Sequence, residues 1–409
     1  MASVVPFCAV RPTRDKVSLV ATRSYLSYSD ETLNKNLIHN PYTFLHIINP
    51  DFYAEKKAAN YSEKFEMVKA KFEEFKKQGI FITDNKNHYY IYQKIKDDGQ
   101  SFIGVIGASS VKDYISGNIK IHEQTIEKRE HLFKKYLDIT GFNAEAVLLT
   151  YPNHETIDLI IEEYSKKRAE YEFTTTNKSL HKLWLVENDK DISNIQKAFG
   201  EVKNLYIADG HHRFASSSLL FKEKNNINST KRDFCMSYLI AENQLKIINF
   251  NRLVKDLNGY SEDEFLTLIE EKYSIKKVDA AFQPKERDEI GMYLSNQWYS
   301  LIAKSDFVNR EDCVEKLDPS ILSINILDPI LGISDPRNDK RLSFIDGGVD
   351  LKEIENKVDS KEFRLAFILK AVNISQLKEV ADKGLSMPPK STYIEPKLRS
   401  GMLIYNLND

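Results

Sequence analysis

Apolar residues recur along this chain with two different periods, and each period marks a different kind of element. Helical spacing runs over residues 62–78, where Phe65, Val68, Phe72 and Phe75 recur three or four apart, Ser62 stands where a cap belongs and Gly79 closes the segment. The same spacing predicts helices over 155–166, with Ile157, Ile160 and Ile161 inward, over 192–199 with Gly200 as its stop, and over 261–273 with Ser261 as cap. Short unbroken or alternating apolar runs predict strands at 4–10, 19–25, 80–83, 88–95, 101–108, 145–151, 171–175, 181–186, 205–208, 235–241 and 246–250. Residues 36–50 read as a loop, a strand through Phe44 to Ile48, and a stop at Asn49-Pro50. Asp84 to Asn87 signals a hairpin, so the runs on either side, with 101–108, predict an N-terminal antiparallel meander that leaves His88 at a surface edge.

Helix and strand alternate from 145 to 250, as in a mixed layer structure. The pattern changes after Asn258-Gly259. A hairpin across Asn296-Gln297, a short helix at 319–327, strands at 341–345 and 364–369, a helix at 375–382 and a last strand at 402–405 follow. No internal repeat or low-complexity linker intervenes. The expected fold class is α/β in the mixed α+β sense. Residues 1–258 would form a core, and 259–409 an α+β region packed on it.

Composition narrows the function classes. The chain has 409 residues, 42% of them hydrophobic and 29% charged, as in ordinary globular proteins. A net charge of −2 and a pI of about 6.5 lack the footprint of a nucleic-acid binder, so no nucleic-acid partner is expected. Cys8, Cys235 and Cys313 are too far apart for a zinc cluster or a disulfide frame. No apolar run approaches the roughly 18 residues of a membrane span, and the N-terminus has no charged region of a signal peptide. The expectation is a cytoplasmic protein with no membrane partner.

The densest chemistry lies at Asp209-Gly-His-His-Arg213, between the run Leu205 to Ala208 and a run of small and apolar residues that can continue as a helix. Strand, polar turn and helix N-terminus make a ready anion site, because the first N–H groups of a helix are free and carry partial positive charge. Gly210, His211, His212 and Arg213 are the expected phosphate cradle, the last with a donor fork that matches phosphate. Asp209 can hold a metal or orient a hydroxyl. The plainer alternative makes Asp209 a helix cap and the histidines structural. A second cluster, His122-Glu123 with Thr125 and Arg129, suits a helix start at His122. It offers Glu123 as general base or metal ligand, with His122, Thr125 and Arg129 in support. A solvated helix face is its plain alternative. Late in the chain, the proline-held loop Met387-Pro-Pro-Lys390-Ser391-Thr-Tyr-Ile-Glu-Pro-Lys397 can close on an anion through Lys390 and Ser391, or serve only as an arm stitched to a sheet.

The phrases Ile207-Ala-Asp-Gly-His-His-Arg, Ile121-His-Glu-Gln-Thr, Leu331-Gly-Ile-Ser-Asp-Pro-Arg and the Met387 to Lys397 loop together resemble the DUF1015 family of bacteria and archaea, whose function is formally unknown. The resemblance runs from near the N-terminus to the last strand. The Asp-Gly-His-His-Arg turn is similar to the phosphate-binding turn of the ParB/sulfiredoxin fold, which includes partition CTPases, ATP-using sulfiredoxins and a free-serine kinase. It implies a ParB/sulfiredoxin-like core. No cysteine stands where sulfiredoxin has its catalytic one, and no helix-turn-helix of the partition proteins is found. A SerB-like label links the family to serine biosynthesis by association. The expected activity is phosphoryl transfer on a small hydroxyl or phosphorylated metabolite such as serine or phosphoserine, with a nucleotide (ATP or ADP) and Mg²⁺ as cofactors. Glu123, Asp209, His211 and His212 would be the catalytic residues. Kinase, phosphatase and a nucleotide-binding regulatory module without turnover all stay open at this point.

Overall fold

In the computed structural model the structure describes residues 2–24, 27–54, 57–223 and 231–408. The chain forms two compact units, Met1–Leu245 with Pro396–Asp409, and Lys246–Glu395. The boundary expected at 258 therefore falls inside the second unit, and the last fourteen residues return to the first. The fold is mixed α/β, as expected from the alternating pattern.

The first unit is built on a sheet whose strands run, side by side, Ile119–Lys120, Leu205–Asp209, Val147–Tyr151, Phe234–Ala241, Ser101–Ser110, Tyr89–Ile95, Leu180–Val186 and Tyr171–Thr174, with Val4–Val5 also on Ser101–Ser110. Val147–Tyr151 is buried along its whole length and Leu205–Asp209 over its first four residues, and both lie inside the sheet. Their apolar runs are the reason. Helices Glu155–Ser165 and Asp189–Glu201 pack together and bury Ile157, Ile160, Ile161 and Phe199 in the same core. The helix Asp189–Glu201 runs through Gly200, which was expected to stop it.

A smaller sheet orders Phe81–Thr83, Ala9–Pro12, Ile404–Asn406 and Phe142–Asn143. The phenylalanine stripe of helix Tyr61–Lys77 packs with this layer, and Asn60 rather than Ser62 caps the helix. The expected meander holds only in part. Tyr89–Ile95 and Ser101–Ser110 pair antiparallel, but Phe81–Thr83 joins the other sheet by pairing with Ala9–Pro12. Asp84 is drawn there by Arg11, at 2.8 Å. His88 is not at a surface edge. It is buried opposite Phe7, with Nδ1 3.3 Å from the Val186 carbonyl.

Two further strand expectations are corrected. Helix Val17–Val20 and a single bridge at Thr22 replace the strand at 19–25, whose end at Tyr25 lies outside the described residues. Helices Asp30–His39 and Leu45–Ile48 replace the loop and strand at 36–50. An apolar run of four fits a buried helical turn as well as a strand.

The second unit is an antiparallel sheet in the order Tyr273–Val278, Gln297–Ala303, Glu289–Leu294, Leu365–Leu369, Phe250–Val254 and Leu342–Asp346. Separate apolar clusters include its alternate residues, Leu253 and Ala366 in one and Val254, Leu365 and Phe367 in another. Ser261 and Glu264 form a capping box at the start of helix Glu262–Lys272, as the sequence signals. The hairpin turns one residue earlier than expected, at Ser295-Asn296, both with positive φ as a type I′ turn requires. Among the described residues no helix is long and apolar enough to cross a membrane.

Candidate functional site

The central strand Leu205–Asp209 pairs antiparallel with Val147–Tyr151, and its register slips between Ile207 and Asp209. Such a bulge bends the strand end and re-aims the side chain that follows. Gly210 comes next with φ of 99°. Side chains rarely tolerate that conformation, and a Cβ here would stand 2.9 Å from Nε of Arg213. Glycine is thus required both by the turn and by the guanidinium lying over it. The helix His211–Glu223 starts at once. Its buried Ser216 donates to the Glu130 carbonyl at 3.0 Å, so a small side chain lets helix Glu127–Thr140 lie close.

Ile119–Lys120 pairs parallel with Leu205 and Tyr206, which carries His122 along the end of the central strand. The helix expected from His122 begins only at Glu127, and residues 121–126 run irregularly between the strand and the helix. The His122 ring is buried edge-on against His211, centroids 4.6 Å apart at 87°. Glu123, half-exposed, comes within 3.5 Å of Nδ1 of His211. The two sequence clusters therefore meet in space. Thr125 precedes the helix and donates to the Glu130 carboxylate. Arg129 is exposed on the helix.

Burial pushes His122 down to about 4, against the opposing influence of the Ile207 carbonyl and Asp209. Burial also drives His211 well below the usual imidazole range, helped by His122, His212 and Arg213. His212 is lowered by burial and by Arg129, with Glu130 opposing. All three rings are neutral at physiological pH. Nε2 of His211 and Nδ1 of His212 are buried without a hydrogen-bond partner among the described residues, whereas the His122 ring has the Ile207 carbonyl within reach. Each such atom costs free energy unless something reaches it.

The charged half of the site is paired. Asp209 meets Arg213 at 2.9 Å through one oxygen and Lys397 at 3.3 Å through the other. Burial is the largest influence on its carboxyl and raises it, but Arg213 and Lys397 together outweigh it and hold the group below the usual range. Arg213 also donates to Glu145 at 3.2 Å and to the Ala146 carbonyl at 3.1 Å. Glu145 accepts from Ser400 at 2.7 Å. Arg213 thus braces the turn with donors that the sequence reading left open for phosphate. Glu145 and Lys397 were not among the expected site residues. Lys397 had a visible signal, as the second lysine of the proline-held loop; Glu145 stood in the sequence only as the first residue of a strand.

Lys390 and Ser391 belong to the second unit. There Ser391 is buried and donates to the Pro388 carbonyl at 2.7 Å, and Lys390 holds its ammonium 4.9 Å from the Phe250 ring centre. Both oxygens of Asp209 face cations, and among the described residues no group of three His, Cys, Asp or Glu is arranged to hold a metal ion.

Among solved structures, free serine kinase in complex with AMP is similar to this chain at 14% identity and a TM-score of 0.35, over 69% of this chain and 88% of that one. A mutant of free serine kinase in complex with ADP matches at 15% identity and a TM-score of 0.36 over the same shares. C-terminally truncated SbnI from Staphylococcus aureus matches at 12% identity and a TM-score of 0.39, over 73% of this chain and 86% of that one. No curated protein matches the chain. The family model DUF1015, described as a protein of unknown function, matches residues 4–320, and this chain belongs to that family.

Proposed function

We propose that this chain is a phosphoryl-transfer enzyme acting on a small hydroxyl metabolite of the serine or phosphoserine class, with ATP or ADP as the phosphoryl partner. The observation that carries the reading is the meeting of Glu123 with His211 at the start of the helix His211–Glu223. Phosphoryl transfer asks mainly for positioning and charge neutralisation. The turn's N–H groups supply neutral donors for phosphate oxygens, and the unpartnered Nδ1 of His212 can add one in the tautomer that protonates it. Arg213 and Lys397 add positive charge beside them while keeping Asp209 ionised. Glu123 is half-exposed and accepts the proton of the attacking hydroxyl as the hydroxyl oxygen bonds to the terminal phosphorus of the nucleotide and the bond from that phosphorus to the bridging oxygen breaks, releasing ADP from ATP or AMP from ADP. No step is assigned to a protein-held metal; Mg²⁺ would enter with the nucleotide phosphates. A nucleotide-binding module without turnover is the second reading, favoured by the engagement of Arg213 with Glu145, Ala146 and Asp209.

Incubation with ATP or ADP and L-serine, with and without Mg²⁺, is expected to yield phosphoserine. Glu123→Gln is expected to slow it by roughly 10²–10³-fold with the melting temperature unchanged. Release of inorganic phosphate from phosphoserine alone would instead assign the hydrolytic direction. Nucleotide-induced stabilisation with no product in either direction would assign the regulatory module. No stabilisation by any of these ligands would contradict a phosphate-binding turn.

A further inference from the structure

A second cationic feature lies in the first unit, on the returning C-terminal segment. Thr22 and Ser400 form an isolated antiparallel bridge, with both backbone hydrogen bonds made, at 3.1 and 2.9 Å. One step along each strand, Arg23 and Arg399 come opposite each other. Like charges at such positions repel, and Arg23 does act to disfavour the charged form of Arg399. Arg399 is half-buried, and its hydrogen bond among the described residues goes to a neutral amide, Asn177 Oδ1, at 3.1 Å. No described carboxylate pairs with either arginine. A guanidinium carries five N–H donors in a planar fork that suits a carboxylate or phosphate. The Arg23 guanidinium lies over the Tyr28 ring, 4.6 Å from its centre, a contact that leaves its charge unneutralised. Two arginines at facing positions beside the bridge, one half out of water and neither with a described carboxylate partner, gain from an anion that both can reach.

The setting supports a ligand rather than a brace. Compare Arg213, whose donors meet two carboxylates and a carbonyl. Lys397 stands on Asp209 and Ser400 on Glu145, so the residues on either side of Arg399 are fixed to the phosphate turn's own network. From 397 to 399 the chain spans at most about 7 Å. Arg399 is therefore carried on the same short backbone stretch as two residues that touch the turn's network.

We infer that Arg399 and Arg23 form an oxyanion subsite that takes the carboxylate of the acceptor, which makes the acceptor an amino acid or hydroxy acid rather than a neutral alcohol. This rests on the phosphoryl-transfer reading for the identity of the acceptor, while the anion site itself does not. The same donors would fit a phosphate, and the test separates the two sources.

Calorimetric titrations compare the wild type with Arg399→Met and with Arg23→Met, whose exposed position keeps the fold out of question. L-serine affinity, measured with saturating nucleotide, is expected to fall at least about tenfold in either variant. Serinamide, which lacks the carboxylate, should bind weakly and equally to all three proteins, and nucleotide affinity should not change. A loss of affinity for nucleotide or inorganic phosphate in place of serine would overturn the carboxylate assignment in favour of a phosphate site. Unchanged serine affinity in both variants would overturn the subsite. If the wild type binds neither serine nor nucleotide, the phosphoryl-transfer reading fails separately. Acetate and inorganic phosphate then serve as probes: stabilisation of the wild type that both variants lose supports the anion site, and equal stabilisation of all three refutes it.

Discussion

Two buried polar clusters in the first unit, both centred on an arginine, behave in opposite ways. Around Arg11, Asp84 accepts at 2.8 Å, Glu170 at 3.0 Å and Tyr171 at 2.7 Å, while Tyr90 donates to the other Asp84 oxygen at 2.7 Å. Arg11 and Asp84 side chains are only 8% and 5% exposed, and none of the buried polar atoms here lacks a partner among the described residues. At the Asp209 turn Arg213 is as fully paired, yet His211 and His212 beside it each keep a buried nitrogen without a partner among the described residues. A satisfied network holds strands together: here the small sheet through Ala9–Pro12 and the strand Tyr171–Thr174. An unsatisfied one is retained at a cost, and that cost makes sense when a ligand repays it.

The contrast can be broken most severely at Arg11. Arg11→Met leaves a buried carboxylate without its cation and should cost about 3–5 kcal/mol in urea unfolding. A loss below about 1 kcal/mol would deny the cluster its structural role. Acid should act on the histidines instead. His122 sits near 4 in the folded chain and near 6.5 when unfolded, so between those values the unfolded chain binds the extra proton. The stability from keeping it neutral is complete above pH 6.5 and is lost as the pH falls toward 4, on the order of 1 kcal/mol per pH unit. The His122→Phe variant should lose about one proton's share of the slope in unfolding curves taken across this window, the rest coming from His211 and the other buried histidines; an unchanged slope would show that His122 is not buried neutral. Gly210→Ala should cost roughly 1–3 kcal/mol through its positive φ and, by displacing Arg213, abolish ligand-induced stabilisation. Lys397→Met should move stability least, by no more than about 1 kcal/mol, because that pair is partly exposed.

The sequence made some of this legible. Periodicity found the helices Tyr61–Lys77, Glu155–Ser165 and Glu262–Lys272, because their apolar stripes are long enough for period to decide type. The turn at Asp209 was legible from local chemistry, a glycine and four polar residues between a buried strand and a helix. What could not be read depends on distant partners. Phe81–Thr83 leaves its apparent hairpin for Ala9–Pro12, and His88 is buried because Phe7 pairs with it across eighty residues of chain. Lys397 and Ser400 reach the turn only because the last strand, Ile404–Asn406, returns to the first unit. The start of helix Glu127–Thr140 was misplaced because a two-residue parallel pairing at Ile119–Lys120 leaves no periodic trace, and the chain from it to Ile126 runs without regular structure.

The central claim is that a phosphate group docks at the start of the helix His211–Glu223 against neutral imidazoles. Nitrogen NMR of the histidine side chains tests it directly, with phosphoserine or ADP added to the full chain. The account predicts that the His211 and His212 signals move on binding while those of His46 and His88 stay. Binding that leaves His211 and His212 unmoved would contradict it.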